Sequence, residues 1–359
     1  MSRSLPCCFL FLLLVAFNSL TAQDKDQLGL KDYYKGHFSV GVAVTPQALK
    51  GPERELILKH FNTLTAENAM KMGPIHPRED TYNWQPADEI ADFAIKNGMK
   101  LRGHTLCWHQ QTPDWIFKDG QGNTVSREVL LQRLESHITE VVKRYKGKIF
   151  AWDVVNEAID DDDNKFLRES PWLTIIGEDY IEKAFQFAHA ADPAALLFYN
   201  DYNTESPGKR ERIFQLIKKL KDANVPIHGV GIQGHWSIYE PAEKEIRESI
   251  QKFSSLGLEV HVTELDVSVY QPEQARREKK AGESDKFTDE MQQKQLEQYE
   301  MIFRVLRERG TRLTNVTFWN ISDRSSWLDN FPVRGRKNYP LLFDQDLKPK
   351  KAYWKIVRF

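Results

Sequence analysis

Ile149-Phe-Ala-Trp-Asp-Val-Val-Asn-Glu157 is an apolar run that stops abruptly on an amide and a carboxyl. A strand whose interior is Phe150, Trp152, Val154 and Val155 needs cover on both faces, the habit of parallel strands enclosed by helices. In such sheets ligands gather beyond the carboxyl ends of the strands, so Asn156 and Glu157 would stand at the mouth of a site. The alternative for these two residues is a cap on the next segment or an ion pair, and this stretch alone supports both readings equally.

Outward from this stretch, the same alternation of short apolar run and amphipathic segment recurs along the chain. Residues 38–44 precede a helical pattern over 51–60, 61–68 precede 86–96, 99–105 precede 126–145, and 148–155 precede 171–191. The second half repeats it: 195–200 then 209–223, 227–234 then 240–253, 258–264 then 289–309, and 312–319 then 350–357. Eight strand-helix units predict an α/β chain closed into a (β/α)8 TIM barrel rather than an open doubly wound sheet, which has fewer strands. No glycine fingerprint follows the first strand, which argues against dinucleotide binding, and no cofactor is expected. There is no Ser/Thr/Pro-rich linker, so residues 23–359 read as one domain. The segment 271–286, dense in Glu, Arg and Lys, reads as a solvated loop at the same end as Glu157 and as a charged surface insertion.

Residues 1–22 are set aside as a secretory signal peptide: Arg3 gives a positive start, Cys8 to Phe17 an apolar centre too short to span a bilayer, and Ser19 to Ala22 a small-residue exit. The protein is therefore expected to be exported, to a periplasm or out of the cell. Of the 3 cysteines only Cys107 lies beyond that segment, where it reads as a buried small hydrophobe, so stability must come from a large core instead of disulfides. With 50 basic and 51 acidic residues, the charge balance points to neither nucleic acid nor membrane, and a neutral substrate fits better. The protein is expected to be a monomer, although nothing in the sequence fixes its oligomeric state.

The polar residues fall at successive strand ends: Glu67 and Asn68 after the second strand, His104 and Trp108 after the third, Asn156 and Glu157 after the fourth. Tyr202 follows the fifth, Gln233 and His235 the sixth, Glu264 and Asp266 end the seventh, and Trp319 ends the eighth. A barrel brings all of these to one face. Glu157 and Glu264 would then oppose each other across the mouth. Paired carboxyls are what glycosidic bond cleavage requires, one protonating the leaving oxygen and the other stabilising or capturing the oxocarbenium-like centre. Trp108, Trp319 and Trp327 offer stacking faces, and Asn68, Lys71, Gln111, Asn156 and Gln233 offer hydroxyl-binding groups, although a core role is the commoner fate of any one Trp.

Trp152-Asp-Val-Val-Asn-Glu157 and Val262-Thr-Glu264-Leu-Asp266 resemble the acid/base and nucleophile motifs of glycoside hydrolase family 10, the endo-1,4-β-xylanases (EC 3.2.1.8). Thr65-Ala-Glu-Asn-Ala-Met-Lys71, Arg102-Gly-His-Thr-Leu-Cys-Trp-His109, Asn200-Asp-Tyr-Asn203, Gly231-Ile-Gln-Gly-His235 and the stretch from Phe318-Trp319 through Asp323 to Trp327 match its strand ends in order, and the resemblance covers nearly all of residues 30–359. It implies that Glu157 is the general acid/base and Glu264 the nucleophile of a retaining double displacement on xylan and xylooligosaccharides, with the carboxyls about 5 to 5.5 Å apart. It also implies that Asn156 holds the 2-hydroxyl of the sugar being cleaved, and that His235 bonds Glu264 with Asp266 behind it. Glu67, Asn68, Lys71, His104, Trp108, Gln111, Trp319 and Trp327 would contact the glycone side and Tyr202 the leaving-group side, with Gln233 sharing the side of His235.

Other residues receive plainer expectations. His261, of opposite strand parity to Glu264, is expected to pack against helices; His109 and Asp153 brace loops or touch sugar; Arg334 and Arg336, in the loop after Trp327, reach the cleft rim or, on the favoured reading, lie plainly on the surface. A cellulose- or mannan-cleaving enzyme with the same two carboxyls is the nearest competing reading. Lys71 and the Trp pair favour xylan, because a closed glycone pocket accepts xylose and obstructs the extra hydroxymethyl of glucose. A metal-dependent hydrolase built on His104, His109, His235 and His261 lacks close-spaced ligand motifs, so no metal is expected. A sugar-binding protein without turnover is opposed by the presence of both carboxyls.

Overall fold

The computed structural model describes residues 28–273, 275–308 and 310–359. The expected signal segment lies outside the described residues, as does Arg309 at the end of the 289–309 helical pattern. Eight parallel strands form the centre: β1 (Ser39–Val44), β2 (Thr63–Ala66), β3 (Lys100–Cys107), β4 (Ile149–Asn156), β5 (Leu196–Asp201), β6 (Gly229–Ile232), β7 (Glu259–Ser268) and β8 (Leu313–Phe318). Each pairs with the next, and β8 pairs with both β7 and β1, closing the ring. This is the (β/α)8 barrel that the alternating pattern predicts. The strands have almost no exposed residues because helices cover the outside and side chains fill the inside.

The helices begin where local chemistry starts them. Ser126 accepts from the Val129 N–H at the head of Arg127–Arg144, and Thr288 accepts from Met291 at the head of Asp289–Leu306, each satisfying an otherwise orphaned donor. The single helix expected over 171–191 is two, Pro171–Ile176 and Tyr180–Ala191. Gly177, at φ 100°, takes a conformation that breaks the first before the second begins.

Outside the barrel wall, Trp152 of β4 packs toward Tyr145 with ring centres 6.5 Å apart. Its indole lies over Gly103 of β3 so closely that a Cβ there would meet Trp152 at 2.1 Å. Inside the wall the filling is partly charged. Arg102, 1% exposed, forks both terminal nitrogens onto Asp153, and His104 Nδ1 lies 2.9 Å from the same carboxylate. Asp153 is thus braced inside the barrel and held below the ordinary carboxylate range: burial alone would raise it, but Arg102 and His104 outweigh that penalty.

His261 is also inside, which corrects the expectation that it packs against helices. Its Nδ1 accepts from Arg102 Nε at 3.3 Å and its ring stacks on Phe198 with centres 4.2 Å apart. The physical reason is a bulge. Between the pairs Val262–Val316 and Leu265–Phe318, β7 carries one residue more than β8, so strand parity counted from Glu264 gives the wrong face at His261.

The segment 271–286 is more tied down than a free solvated loop. Arg277–Glu278 pairs with Val333–Arg334 as a two-stranded ribbon, and Arg277 and Arg336 share Glu273 and Glu283 at 2.6 to 3.0 Å. Arg334 is exposed as expected, but Arg336 is not a surface residue: 7% of its side chain is exposed, because two carboxylates and the Tyr270 ring enclose it. At the other face of the molecule the two ends of the described chain meet. The Tyr34 hydroxyl donates to the Ile356 carbonyl, and the Phe359 ring stacks on Tyr34 at 5.3 Å. Among the described residues no helix is long and apolar enough to cross a membrane.

Candidate active site

Two irregular strands aim the central carboxyls. β4 carries one residue more than β5 between Asp153 and Val155, and β7 carries the extra residue just before Leu265. Bulges of this kind re-aim side chains at the ends of strands. Thr263 and Glu264, consecutive in β7, consequently both reach Asn200 of β5: the Thr263 hydroxyl donates to Asn200 Oδ1 at 2.7 Å, and Asn200 Nδ2 donates to Glu264 Oε1 at 2.9 Å. Glu157, just past the end of β4, has φ 57°, a left-handed conformation unusual for a residue with a side chain and of the sort found at functional sites.

Both carboxyls are buried, Glu157 at 7% and Glu264 at 5% exposure, and both are held by hydrogen bonds. Glu157 Oε1 accepts from Gln233 at 2.9 Å and Asn156 at 3.1 Å, and Oε2 accepts from the Trp108 indole at 2.8 Å. Asn156 Oδ1 in turn accepts from Asn200 at 2.9 Å, so a relay of two amides joins one carboxyl to the other. His235 lies between Glu264, 3.1 Å from its Nε2, and Asp266, 3.0 Å from its Nδ1. Burial opposes a charge on His235, but Asp266 and then Glu264 overcome it and push its pKa up to about 10. As an imidazolium it donates to both.

The electrostatics separate the two carboxyls. Burial pushes the pKa of Glu157 up, the negative charges of Asp201 and Glu264 act in the same sense, and the Gln233 and Trp108 hydrogen bonds oppose only part of this. Burial would also raise Glu264, but the His235 hydrogen bond and the charges of His104, His235 and Lys71 outweigh it and bring the pKa down. One carboxyl is made a better acid-holder and the other a better anion, the pattern that divides acid from nucleophile.

Around this pair stand the other residues singled out in the sequence. Lys71, 7% exposed, donates to Asn68 Oδ1 at 3.0 Å, and its ammonium lies 5.1 Å from the Trp108 ring and 5.8 Å from the Trp319 ring. Burial lowers its pKa, countered by Glu264, Glu67 and Glu157. Trp319 sets its edge against His104 and His235. Trp327 donates its indole N–H to Asp266 at 2.8 Å and stacks on Phe331, so one of its faces is already covered. Gln111 is exposed at the rim in a left-handed conformation, φ 48°. The Tyr202 hydroxyl donates to Asp161 and accepts from Arg168 at 2.8 Å, and Lys209 lies 3.5 Å from its ring. His109 Nε2 is 4.0 Å from Glu157, closer to the centre than a loop brace, and burial lowers its pKa to about 4.

Three residues join the site that sequence reasoning did not assign to it. Asn200 stands one residue before the end of β5 and Thr263 directly precedes Glu264 within β7, and both were visible as polar residues inside the site motifs. Asn320, at φ 97°, donates to Glu67 Oε2 at 3.0 Å and follows Trp319 directly, so it carried the same signal. Among the described residues no group of three or more His, Cys, Asp or Glu side chains is arranged to hold a metal ion.

A closed parallel barrel that gathers two oppositely tuned carboxyls, amides and indoles at the carboxyl ends of its strands defines a glycoside hydrolase. The chain belongs to glycosyl hydrolase family 10, whose model matches residues 29–359. It is 50% identical over 324 residues to "Endo-1,4-beta-xylanase B" of Paenibacillus barcinonensis, covering 90% of this chain and 96% of that one. It is 47% identical over 334 residues to "Endo-1,4-beta-xylanase" of Geobacillus stearothermophilus, covering 91% and 97%. Among solved structures, xylanase XynB of P. barcinonensis, in complex with a conduramine derivative, superposes with a TM-score of 0.88 at 50% identity, covering 92% of this chain and 98% of that one.

Proposed function

We propose that this protein is a retaining endo-1,4-β-xylanase that cleaves internal bonds of xylan and xylooligosaccharides. The observation that carries the reading is the opposite tuning of two buried carboxyls joined by one amide relay. In the first step the Glu264 carboxylate attacks the anomeric carbon while Glu157 gives its proton to the glycosidic oxygen, and the reducing-end fragment leaves. In the second, Glu157, now a carboxylate, takes a proton from water as the water oxygen attacks the same carbon and Glu264 is released. Two inversions give retention.

In this reading Asn156 holds the 2-hydroxyl of the sugar being cleaved, and His235, bonded to Asp266, keeps Glu264 ionised and oriented. Gln233 fixes the carboxyl of Glu157. Glu67, Asn68, Lys71, His104, Trp108, Gln111, Trp319 and Trp327 serve the glycone side and Tyr202 the leaving-group side. The relatives' names favour xylan over glucan or mannan, as does the way Lys71 sits against two indoles. The reading includes export by residues 1–22, to a periplasm or the medium, and action as a monomer.

The test is product analysis after incubation of the purified protein with unbranched β-1,4-xylan, β-1,4-glucan and β-1,4-mannan, with the anomer of the first product followed by NMR. Short xylooligosaccharides released as the β-anomer support it. Release from glucan or mannan alone would overturn the substrate, an α-anomer the mechanism, and no release at all the enzyme reading.

A further inference from the structure

Glu157 keeps a left-handed backbone, φ 57°, and a strained conformation of this kind persists only where its surroundings over-determine it. Two holds do so. Arg168 donates its Nε to the Glu157 carbonyl at 3.1 Å and a terminal nitrogen to the Ile159 carbonyl at 3.3 Å. From the other side, the Tyr199 hydroxyl accepts from the N–H groups of Ala158 and Ile159, each at 3.0 Å. Both holds run back to carboxylates: Arg168 also donates to Asp161 at 3.0 Å, and the Tyr199 hydroxyl donates to Asp201 at the end of β5. One ammonium joins the two. Lys209, in the helix Pro207–Asp222, lies 2.8 Å from Asp161 and 3.0 Å from Asp201. Lys209 is 3% exposed and Asp201 0%, so these two charges meet away from water, where each depends on the other.

Resting on the reading of Glu157 as the acid/base, we infer that Lys209 is a positioning residue: its ammonium ties the two holds together and so fixes where Glu157 presents its proton to the leaving oxygen. It acts through the backbone of residues 157–159. A general acid must lie within hydrogen-bond reach of the oxygen it protonates, and the carboxyl of Glu157 moves with its φ. Without Lys209, Asp201 becomes a buried carboxylate with no cation beside it among the described residues, and the Arg168 and Tyr199 holds lose their common anchor. Tyr202, read above as the leaving-group contact, rests on the same point: its hydroxyl donates to Asp161, and Lys209 lies 3.5 Å from its ring. One side chain thereby sets the acid and the wall met by the departing sugar relative to each other.

The test compares phenyl β-xylobioside, whose leaving oxygen needs a proton, with dinitrophenyl β-xylobioside, whose leaving group departs without one. Neither carries a sugar on the leaving-group side, so altered sugar binding at Tyr202 enters neither rate. Lys209→Met should lose about 10²-fold in kcat/KM on the phenyl substrate, the scale of a misplacement of about 1 Å, and keep wild-type kcat/KM on the dinitrophenyl one. On the latter, kcat and KM should fall together, because the second step still needs Glu157 as base. Arg168→Met, which cuts one hold directly, should show the same split. Should Lys209→Met fail to fold, the double variant Lys209→Met with Asp201→Asn removes both buried charges and makes the same measurement. Equal losses on both substrates in the folded variants, or wild-type rates on both, would overturn the inference. Glu157→Ala is the reference and should split the two substrates at least as widely; if it does not, the acid assignment itself fails and the inference with it.

Discussion

At the scale of single residues, Glu157 and Glu264 make the sharpest predictions. Glu157→Ala should cut kcat/KM on xylan about 10²- to 10⁴-fold, the usual worth of a general acid, yet spare aryl xylosides whose leaving groups need little protonation. Glu264→Ala should abolish turnover of both, and near wild-type rates for either variant on xylan would make the assignment wrong. The pH profile follows from the directions of the two shifts. In the proposed mechanism Glu157 acts as an acid and its pKa is raised, so activity should fall as pH rises through that value; Glu264 acts as an anion and its pKa is lowered, so activity should fall as pH drops through its own. His235→Asn removes the largest influence holding Glu264 down, so the acid limb of kcat/KM should move to higher pH while the alkaline limb stays; an unmoved acid limb would show that His235 has no hold on Glu264.

At the scale of elements, close approach of strand to strand limits what the barrel tolerates. Gly103→Ala puts a methyl group into the Trp152 ring and should cost about 1–3 kcal/mol, read as a lower urea midpoint at unchanged slope. An unchanged midpoint would mean that Trp152 swings aside freely. This scale also divides what the sequence revealed from what it hid. Eight apolar runs alternating with amphipathic segments were legible because burial on both faces and on one face leave different periods. The extra residues in β4 and β7 were not, since a bulge changes parity without changing composition, and His261 was consequently assigned to the wrong face. Gly177 was a visible glycine, but a left-handed φ is a property of the fold around it. Asn200 was read within its motif and given no role, because its importance lies in bridging β4 to β7, a relation between strands distant in sequence.

At the scale of the whole molecule, the barrel below the site is filled by charge as well as by hydrocarbon. Arg102 and Asp153 are 1% and 0% exposed, and breaking a buried pair strands the survivor. Asp153→Ala should therefore destabilise the protein by about 3–5 kcal/mol, far more than loss of an exposed pair such as Lys218 with Asp222. Equal effects in thermal unfolding would remove Arg102 and Asp153 from the account of stability. The meeting of Tyr34 with Ile356 and Phe359 has a consequence of another kind. Because β8 closes onto β1, the ring of strands has no first member, and the start of the described chain lies beside its end. A circular permutant that joins residue 28 to residue 359 through a short flexible link and opens in the exposed stretch 119–123 should fold and keep its cleft, since no strand-end residue of the site is severed.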